Sequence, residues 1–181
     1  MYGLVHHAIE GLVLRERDPA SWDRVRAAAG LADAEFLSHE PYPDAIAYQL
    51  VGATATALAW TTDQTLEALG EYWLLEVAVR SYGALLDALG TTPLEFLQNL
   101  PGLHARIQLH MPALRPPSFA VTRIGNRELH VTYASAREGL APFVVGLLRG
   151  VGKRFGVTLE VELVEPRAGA GAHDVFRVGW P

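Results

Sequence analysis

The sequence predicts an α+β fold with a helical amino-terminal part and a strand-rich carboxy-terminal part. Apolar residues recur at three- and four-residue intervals over the first two-thirds of the chain, which is the spacing of amphipathic helices. A segment with three prolines, residues 112–117, then interrupts the helical pattern. Beyond it the apolar residues alternate as in strands, on either side of one further helix. This order of elements is typical of α+β domains.

Caps and helix breakers place the first four of about seven helices in residues 1–111. The first helix follows the amphipathic stretch 4–13. The second begins at Asp18-Pro19, an N-cap followed by proline at the first helical position, and ends at Gly30. The third follows Pro43, and Asp63 is the expected N-cap of the fourth.

Three more helices complete this part of the prediction. The fifth covers residues 82–89 and ends at Gly90. The run 92–95 (TPLE) is a capping box with proline at the first helical position, so it starts the sixth. Pro101 is expected to interrupt that helix, and a seventh then continues through His104 towards the proline segment.

The remaining elements form a strand, strand, helix, strand, strand series. The strands are expected to be antiparallel, and Gly125-Asn126 is a two-residue hairpin signal between the first two. The predicted elements are strands at 119–124 and 129–135, a helix at 139–155, and strands at 157–164 and 175–180 around a Gly/Ala-rich loop at 168–172. We interpret residues 1–181 as a single domain with a helical subdomain, 1–111, and a strand-containing subdomain, 112–181.

Composition excludes several classes of function. The 181 residues carry a formal net charge of −5, which argues against a nucleic-acid-binding surface. There is no cysteine, so disulfide scaffolds, iron–sulfur clusters, thiol catalysis and a cysteine-containing zinc site are excluded. No signal peptide or membrane-spanning stretch is evident, and we expect a cytoplasmic protein that does not bind membranes.

The strand that contains Tyr133 carries a cluster of hydrogen-bond donors. Residues two apart in a strand share a face, so Tyr133, Ser135 and Arg137 are expected to project together at its end. Two hydroxyls and a guanidinium suit a carboxylate or a phosphate. The spacing alone slightly favours a plainer alternative, in which Arg137 pairs with a surface glutamate and Tyr133 packs sideways.

His104 is the second candidate. It lies on an apolar-periodic helix just before the proline segment. A single histidine in that setting is more often a core or surface residue than a metal ligand, so the position is a weak signal by itself.

Taken together, these features resemble the H-NOX (haem nitric oxide/oxygen binding) family, which includes bacterial gas sensors and the haem domain of soluble guanylate cyclase. The resemblance covers the whole chain in order. It rests on the opening Met1-Tyr2-Gly3, the run 96–100 (FLQNL) before His104, the run 116–119 (PPSF), the Tyr-x-Ser-x-Arg motif at 133–137 and the run 139–143 (GLAPF).

The resemblance implies haem b, buried between the helical and the strand-containing parts. It assigns His104 as the proximal iron ligand, and Tyr133, Ser135 and Arg137 as the residues that hold the haem propionates. It also implies that Pro117 presses on the porphyrin and distorts it.

The same resemblance places the side chains of the distal pocket. Oxygen-binding members carry a tyrosine on the helix after the Tyr-x-Ser-x-Arg motif, and alignment on Gly146-Leu147 puts Phe143 at that position. Phenylalanine has no donor for bound oxygen, and Val5 and Leu147 would complete an apolar wall. Trp73 is the exception, because its indole N–H is a donor that would favour oxygen if it faced the iron. We expect it to contact the helix that bears Phe143 instead.

The resulting hypothesis is a sensor that binds nitric oxide and carbon monoxide at ferrous haem and excludes oxygen. The signal is the release of His104 from the iron, and it passes to a partner in trans, such as a histidine kinase or a diguanylate cyclase. The alternative is that the sequence is a fragment of a longer receptor. The alternatives are an oxygen-binding haem sensor, a haem enzyme or carrier that consumes nitric oxide, and a cofactor-free interaction domain. An enzyme would need polar distal groups for acid–base work, so we do not expect catalysis.

Overall fold

Six α-helices form the first 110 residues of the computed structural model, which describes residues 1–169 and 172–181. A π-helical segment, Trp73–Ala78, joins the fourth helix to the fifth. The helices are α1 (Gly3–Glu16), α2 (Pro19–Ala28), α3 (Asp44–Leu58), α4 (Thr62–Tyr72), α5 (Val79–Asp87) and α6 (Pro93–His110). None of the helices in the described part of the chain combines the length and the hydropathy needed to cross a bilayer.

The predicted caps are partly confirmed. The Asp18 carboxylate accepts a hydrogen bond from the backbone N–H of Ser21 at 2.8 Å, and the Thr92 hydroxyl accepts one from Glu95 at 3.2 Å. The predicted capping box at 92–95 is only half formed, because the Glu95 carboxylate accepts from the backbone N–H of Thr91 instead of Thr92. The prediction for α4 is wrong, because its N-cap is Thr61 rather than Asp63. Thr61 forms a reciprocal capping box with Gln64. That pair satisfies two backbone donors at once, which a single aspartate at 63 would not do.

Two helix boundaries also differ from the prediction. Pro101 lies inside α6 and does not end it, so the sixth and seventh predicted helices are one. Buried side chains on both sides of the proline, Leu97 and Leu103, hold the two halves in the same core, and this packing offsets the missing hydrogen bond. The fifth helix begins at Val79, and Tyr82 (φ −140°, ψ 22°) marks a kink within it.

The four strands form one antiparallel sheet in the order β1-β2-β4-β3. The strands are β1 (Ser118–Arg123), β2 (Glu128–Ala134), β3 (Glu160–Glu165) and β4 (Asp174–Gly179), and α7 (Ala141–Arg154) lies between β2 and β3. The β1–β2 connection has four residues, 124–127, and not the two predicted. The predicted Gly/Ala-rich loop at 168–172 lies in part outside the described residues. The α+β class is confirmed.

The buried apolar side chains form two clusters. One cluster is formed by side chains of α1, α2, α3 and α4, and the other by side chains of α6, α7 and the inner face of the sheet. Trp73, at the start of the π-helical segment, packs against both. The two clusters therefore meet at Trp73, which lies in the middle of the helical part of the chain. The single-domain interpretation and its boundary at residue 111 stay predictions.

Candidate functional site

A cavity of about 310 Å³ lies between the helices and the first two strands. Its volume is within the range of small-molecule and cofactor sites, which is about 300–1,000 Å³. Its lining is mainly apolar. All nine site residues named from the sequence line it: Val5, Trp73, His104, Pro117, Tyr133, Ser135, Arg137, Phe143 and Leu147. The structure thus brings them together, while the roles assigned to them stay predictions.

His104 reaches the cavity from α6, with the ring of Phe119 on β1 at 6.1 Å between centroids. Its Nδ1 atom is buried and has no hydrogen-bond partner among the described residues. Burial lowers the pKa of His104, and the Pro117 carbonyl opposes that shift. The ring is therefore neutral at physiological pH and keeps a lone pair that can bind a metal.

Tyr133, Ser135 and Arg137 form the polar end of the cavity. The backbone N–H of Arg137 donates to the Ser135 hydroxyl at 3.1 Å, which turns the chain just after β2 ends at Ala134. Burial raises the pKa of Tyr133, so its hydroxyl stays protonated and can donate. The Tyr133 ring packs on Phe119, with 5.3 Å between centroids.

Arg137 pairs with an aspartate that the sequence did not identify. Its Nε donates to Asp44 Oδ2 at 2.8 Å, and its Nη1 donates to the carbonyl of Arg115 at 3.0 Å. Asp44, in the first turn of α3, also accepts from the Met1 ammonium at 2.5 Å. The plainer alternative is therefore wrong only in the identity of the partner, because Arg137 does pair with an acidic side chain, which is Asp44 and not a surface glutamate. The sequence contained no signal for the pair, because its members are 93 residues apart.

The Asp44 carboxylate is ionised at neutral pH. Burial by itself would raise its pKa, but the hydrogen bonds and charges of the Met1 ammonium and Arg137 outweigh burial and lower it. One turn along α3, the Tyr48 hydroxyl donates to the carbonyl of Glu138 at 2.9 Å. The i, i+4 spacing of Asp44 and Tyr48 puts both on one helix face, so α3 contacts the chain after β2 at two points.

The opposite wall of the cavity is apolar. Val5, Phe143 and Leu147 contribute no hydrogen-bonding side-chain group. Trp73 does, and its indole N–H makes no hydrogen bond within the described part of the protein. Helices α4 and α7 are in close contact beside this wall, at Gly70 of α4 and Gly146 of α7. A β-carbon on either glycine would overlap backbone atoms of the other helix.

The other histidines lie outside the set of residues that line the cavity. His6 is fully buried against Phe36, with 4.2 Å between ring centroids, and burial lowers its pKa to about 4. The nearby charges of the amino terminus and of His7 add to that shift. Among residues 1–169 and 172–181, no group of three or more His, Asp or Glu side chains is placed to hold a metal ion.

These features fit haem. An iron porphyrin needs a basic ligand on one face, apolar walls, and donors for two carboxylates at one edge. The imidazole of His104 has a buried Nδ1 without a partner among the described residues, and it meets the first need. The apolar lining and the donors of Tyr133, Ser135 and Arg137 meet the other two. Asp44 places one negative charge beside the donors, and the cations of Arg137 and the Met1 ammonium balance it.

A family model and several known proteins match this chain. The family model described as "Haem-NO-binding" matches residues 2–163. Soluble guanylate cyclase gcy-31 of Caenorhabditis elegans is 24% identical over 166 residues, which cover 91% of this chain and 24% of the cyclase. Guanylate cyclase soluble subunit beta-2 of Rattus norvegicus is 31% identical over 119 residues, which cover 62% of this chain and 17% of the subunit. The chain thus spans about a quarter or less of these relatives.

Solved structures share the fold. A mutant H-NOX protein from S. oneidensis in the Fe(II) ligation state superposes with a TM-score of 0.90 at 16% identity, over 100% of this chain and 96% of that chain. A mutant of the K. algicida H-NOX protein, in the unliganded Fe(II) state, has a TM-score of 0.85 at 22% identity, over 100% and 97% of the two chains. The family model covers most of the sequence, and the fold agrees with it over the full length. The chain therefore belongs to the haem-NO-binding family, the H-NOX domains.

Proposed function

We propose that this chain is a gas-sensor domain that binds nitric oxide and carbon monoxide at ferrous haem b, with His104 as the iron ligand. The observation that carries the proposal is the neutral imidazole of His104, whose buried Nδ1 has no partner among the described residues, in an apolar cavity with a donor-rich end. Haem, when bound, would supply an iron atom that can bind the His104 imidazole and a diatomic gas.

The protein's own groups bind and orient the cofactor. Arg137 offers a charge and the hydroxyls of Tyr133 and Ser135 offer two further donors to the propionates. Pro117, next to the strand that faces His104, supplies a rigid apolar contact that would press on the porphyrin. The aliphatic and aromatic walls exclude water, which protects ferrous iron from oxidation.

The apolar distal wall favours nitric oxide and carbon monoxide over oxygen. Bound oxygen is strongly polarised and depends on a hydrogen-bond donor, whereas the other two gases depend on one much less. Phe143, Val5 and Leu147 offer none. We therefore infer weak oxygen binding by this domain.

An oxygen-binding sensor is the second candidate, and one observation favours it. The indole N–H of Trp73 has no protein acceptor within the described residues and lies in the cavity wall. An oxygen-binding H-NOX domain related to soluble guanylate cyclases superposes on this fold with a TM-score of 0.82 at 15% identity. The two candidates differ in whether reduced protein forms a stable oxygen complex in air. A haem enzyme or nitric-oxide-consuming carrier lacks support, since the distal wall has no acid–base group.

The output of the domain is a change in α6 passed to another protein or domain. His104, which would hold the iron, lies on α6, and α6 packs against β1, so a change in how this residue is held would let the helix shift against the sheet. A partner must distinguish the two positions of α6 for a signal to arise. A cyclase, a histidine kinase or a diguanylate cyclase in trans would serve, and the domain itself performs no catalysis.

Absorption spectra of the reduced protein test the proposal. We expect a Soret band of five-coordinate ferrous haem, no stable oxygen complex in air, a carbon monoxide complex, and a five-coordinate nitrosyl complex. The variant His104→Gly should lose the five-coordinate ferrous spectrum and regain it with added imidazole. His110→Gly, at the exposed end of the same helix, is the matched control and should keep the native spectrum. An unchanged spectrum in His104→Gly would refute the assignment of the ligand.

A further inference from the structure

The segment that follows β2 carries Ser135 and Arg137 but lies beyond the sheet. The pairing of β2 with β1 ends at Ala134, and its pairing with β4 ends where Tyr133 faces Asp174. The carbonyls of Ser135 and Arg137 therefore have no strand partner. Polar backbone groups beside a cavity need other partners if the segment is to keep one conformation.

Arg167, in the connection between β3 and β4, supplies those partners. Its Nη1 donates to the Ser135 carbonyl at 3.2 Å and to the Arg137 carbonyl at 3.0 Å. One guanidinium nitrogen thus ties together two carbonyls that are two residues apart. The planar, permanently charged guanidinium suits this bridge, because its donors have fixed directions.

Arg167 is itself held in place. Its backbone N–H donates to Asp174 Oδ1 at 2.9 Å, and Asp174 is 4% exposed. Asp174 is the first residue of β4 and faces Tyr133 across the strand pair. The sheet therefore fixes Asp174, Asp174 fixes Arg167, and Arg167 fixes the backbone that presents Ser135 and Arg137.

Arg167 does not line the cavity, so it acts through this backbone and not on the ligand. We propose that Arg167, anchored by Asp174, is a positioning residue that holds the Ser135–Arg137 segment in the conformation that binds a pair of carboxylates. This inference rests on the proposed binding of the haem propionates by Tyr133, Ser135 and Arg137. Arg167 and Asp174 would thereby join the residues that support propionate binding, although both lie 30 or more positions along the chain from the Tyr-x-Ser-x-Arg motif.

Haem loss measures the effect. Holoprotein is loaded either with haem or with its dimethyl ester, which lacks the propionate charges, and the rate of transfer to excess apomyoglobin is followed by absorbance. The wild-type protein should lose the ester faster than haem. Arg167→Gln should lose haem about tenfold faster than the wild-type protein does, as expected when a charge-assisted contact is weakened. Its rate for the ester should stay within about twofold of wild type.

Two further variants keep the test decisive if Arg167→Gln folds poorly. Arg167→Lys keeps the charge but loses the fork, and Asp174→Asn keeps the shape of the anchor but removes its charge. Both should show the same selective loss of haem, to a smaller degree. Arg177→Gln is the matched control. Arg177 lies on β4, pairs with Glu162 and does not line the cavity, so neither rate should change.

The outcomes separate this inference from the proposed function. If wild-type protein loses haem and the ester at equal rates, the three motif residues do not bind the propionates, and their proposed role fails. If the wild type discriminates and the Arg167 and Asp174 variants discriminate equally well, only the present inference fails. It fails too if these variants lose both ligands faster by the same factor, because that pattern indicates general destabilisation.

Discussion

The contact between α4 and α7 gives a sharp prediction about stability. Gly146 lies against Glu67 so closely that an added β-carbon would overlap the Glu67 carbonyl oxygen. The obstacle is backbone and cannot rotate away. Gly146→Ala should therefore force the two helices apart, at the upper end of the overpacking cost of about 1–3 kcal/mol. Alanine has a higher helix propensity than glycine, which offsets about 1 kcal/mol of this cost. We therefore expect the free energy of unfolding to fall by about 2 kcal/mol.

Gly52 provides the matched control. It lies in the interior of α3, and nothing would meet an added β-carbon there within 4 Å. Gly52→Ala should therefore stabilise the protein by about 1 kcal/mol through helix propensity alone. For a chain of this size, 1 kcal/mol corresponds to a shift of about 2–4 °C in Tm. The two variants should thus move in opposite directions.

Urea denaturation followed by circular dichroism at 222 nm, together with thermal melts, measures both variants. Phe143 and Leu147 line the cavity and lie within one helical turn of Gly146 on α7, so the carbon monoxide dissociation rate of the Gly146→Ala holoprotein should change as well. If Gly146→Ala is as stable as the wild-type protein, or gains as much as Gly52→Ala, the close approach of α4 and α7 is not rigid and the reasoning is refuted.

Three more variants test the two ends of the cavity. Phe143→Tyr should introduce an oxygen complex that is stable in air, because the new hydroxyl can donate to bound oxygen; Trp73→Phe should abolish any oxygen binding by the wild-type protein. Absorption spectra before and after admitting air measure both, and no oxygen complex in Phe143→Tyr would contradict the placement of that residue. Asp44→Asn should destabilise the protein at neutral pH and not in acid. The folded-state pKa of Asp44 is lowered, so its contribution is present above the unfolded-state pKa and is lost as the pH falls through the folded-state pKa. Chemical denaturation at several pH values measures the difference, and a constant difference down to acid pH would show that the Asp44–Arg137 pair does not stabilise the fold.

Local sequence signals accounted for the elements whose boundaries depend on short-range contacts. The caps at Asp18 and Thr92 were predicted correctly, because each bonds to a backbone N–H three residues away. The expected break at Pro101 was wrong, because the packing of residues on both sides of the proline outweighs its local cost. The π-helical segment Trp73–Ala78 had no local signal at all.

The residues of the candidate site were found through a resemblance more than through spacing. His104 by itself was a weak signal, and the shared face of Tyr133, Ser135 and Arg137 did not favour a binding role over the plainer alternative. The structure places all of them on one cavity. It also identifies their support, Asp44, Arg167 and Asp174, which no pattern in the sequence indicated.

Through a family resemblance, the sequence named nine of the residues that line the cavity, and by itself it determined the α+β class and most of the helices and strands. These features depend on periodicity, caps and motif order, which are written within a few positions along the chain. Only the tertiary structure decided which distant residues contact each other. Asp44 pairs with Arg137, Arg167 bonds to the Ser135–Arg137 segment, and α4 packs against α7. Each of these contacts joins residues that are 30 or more positions apart, so it exists only once the whole chain has folded around its core.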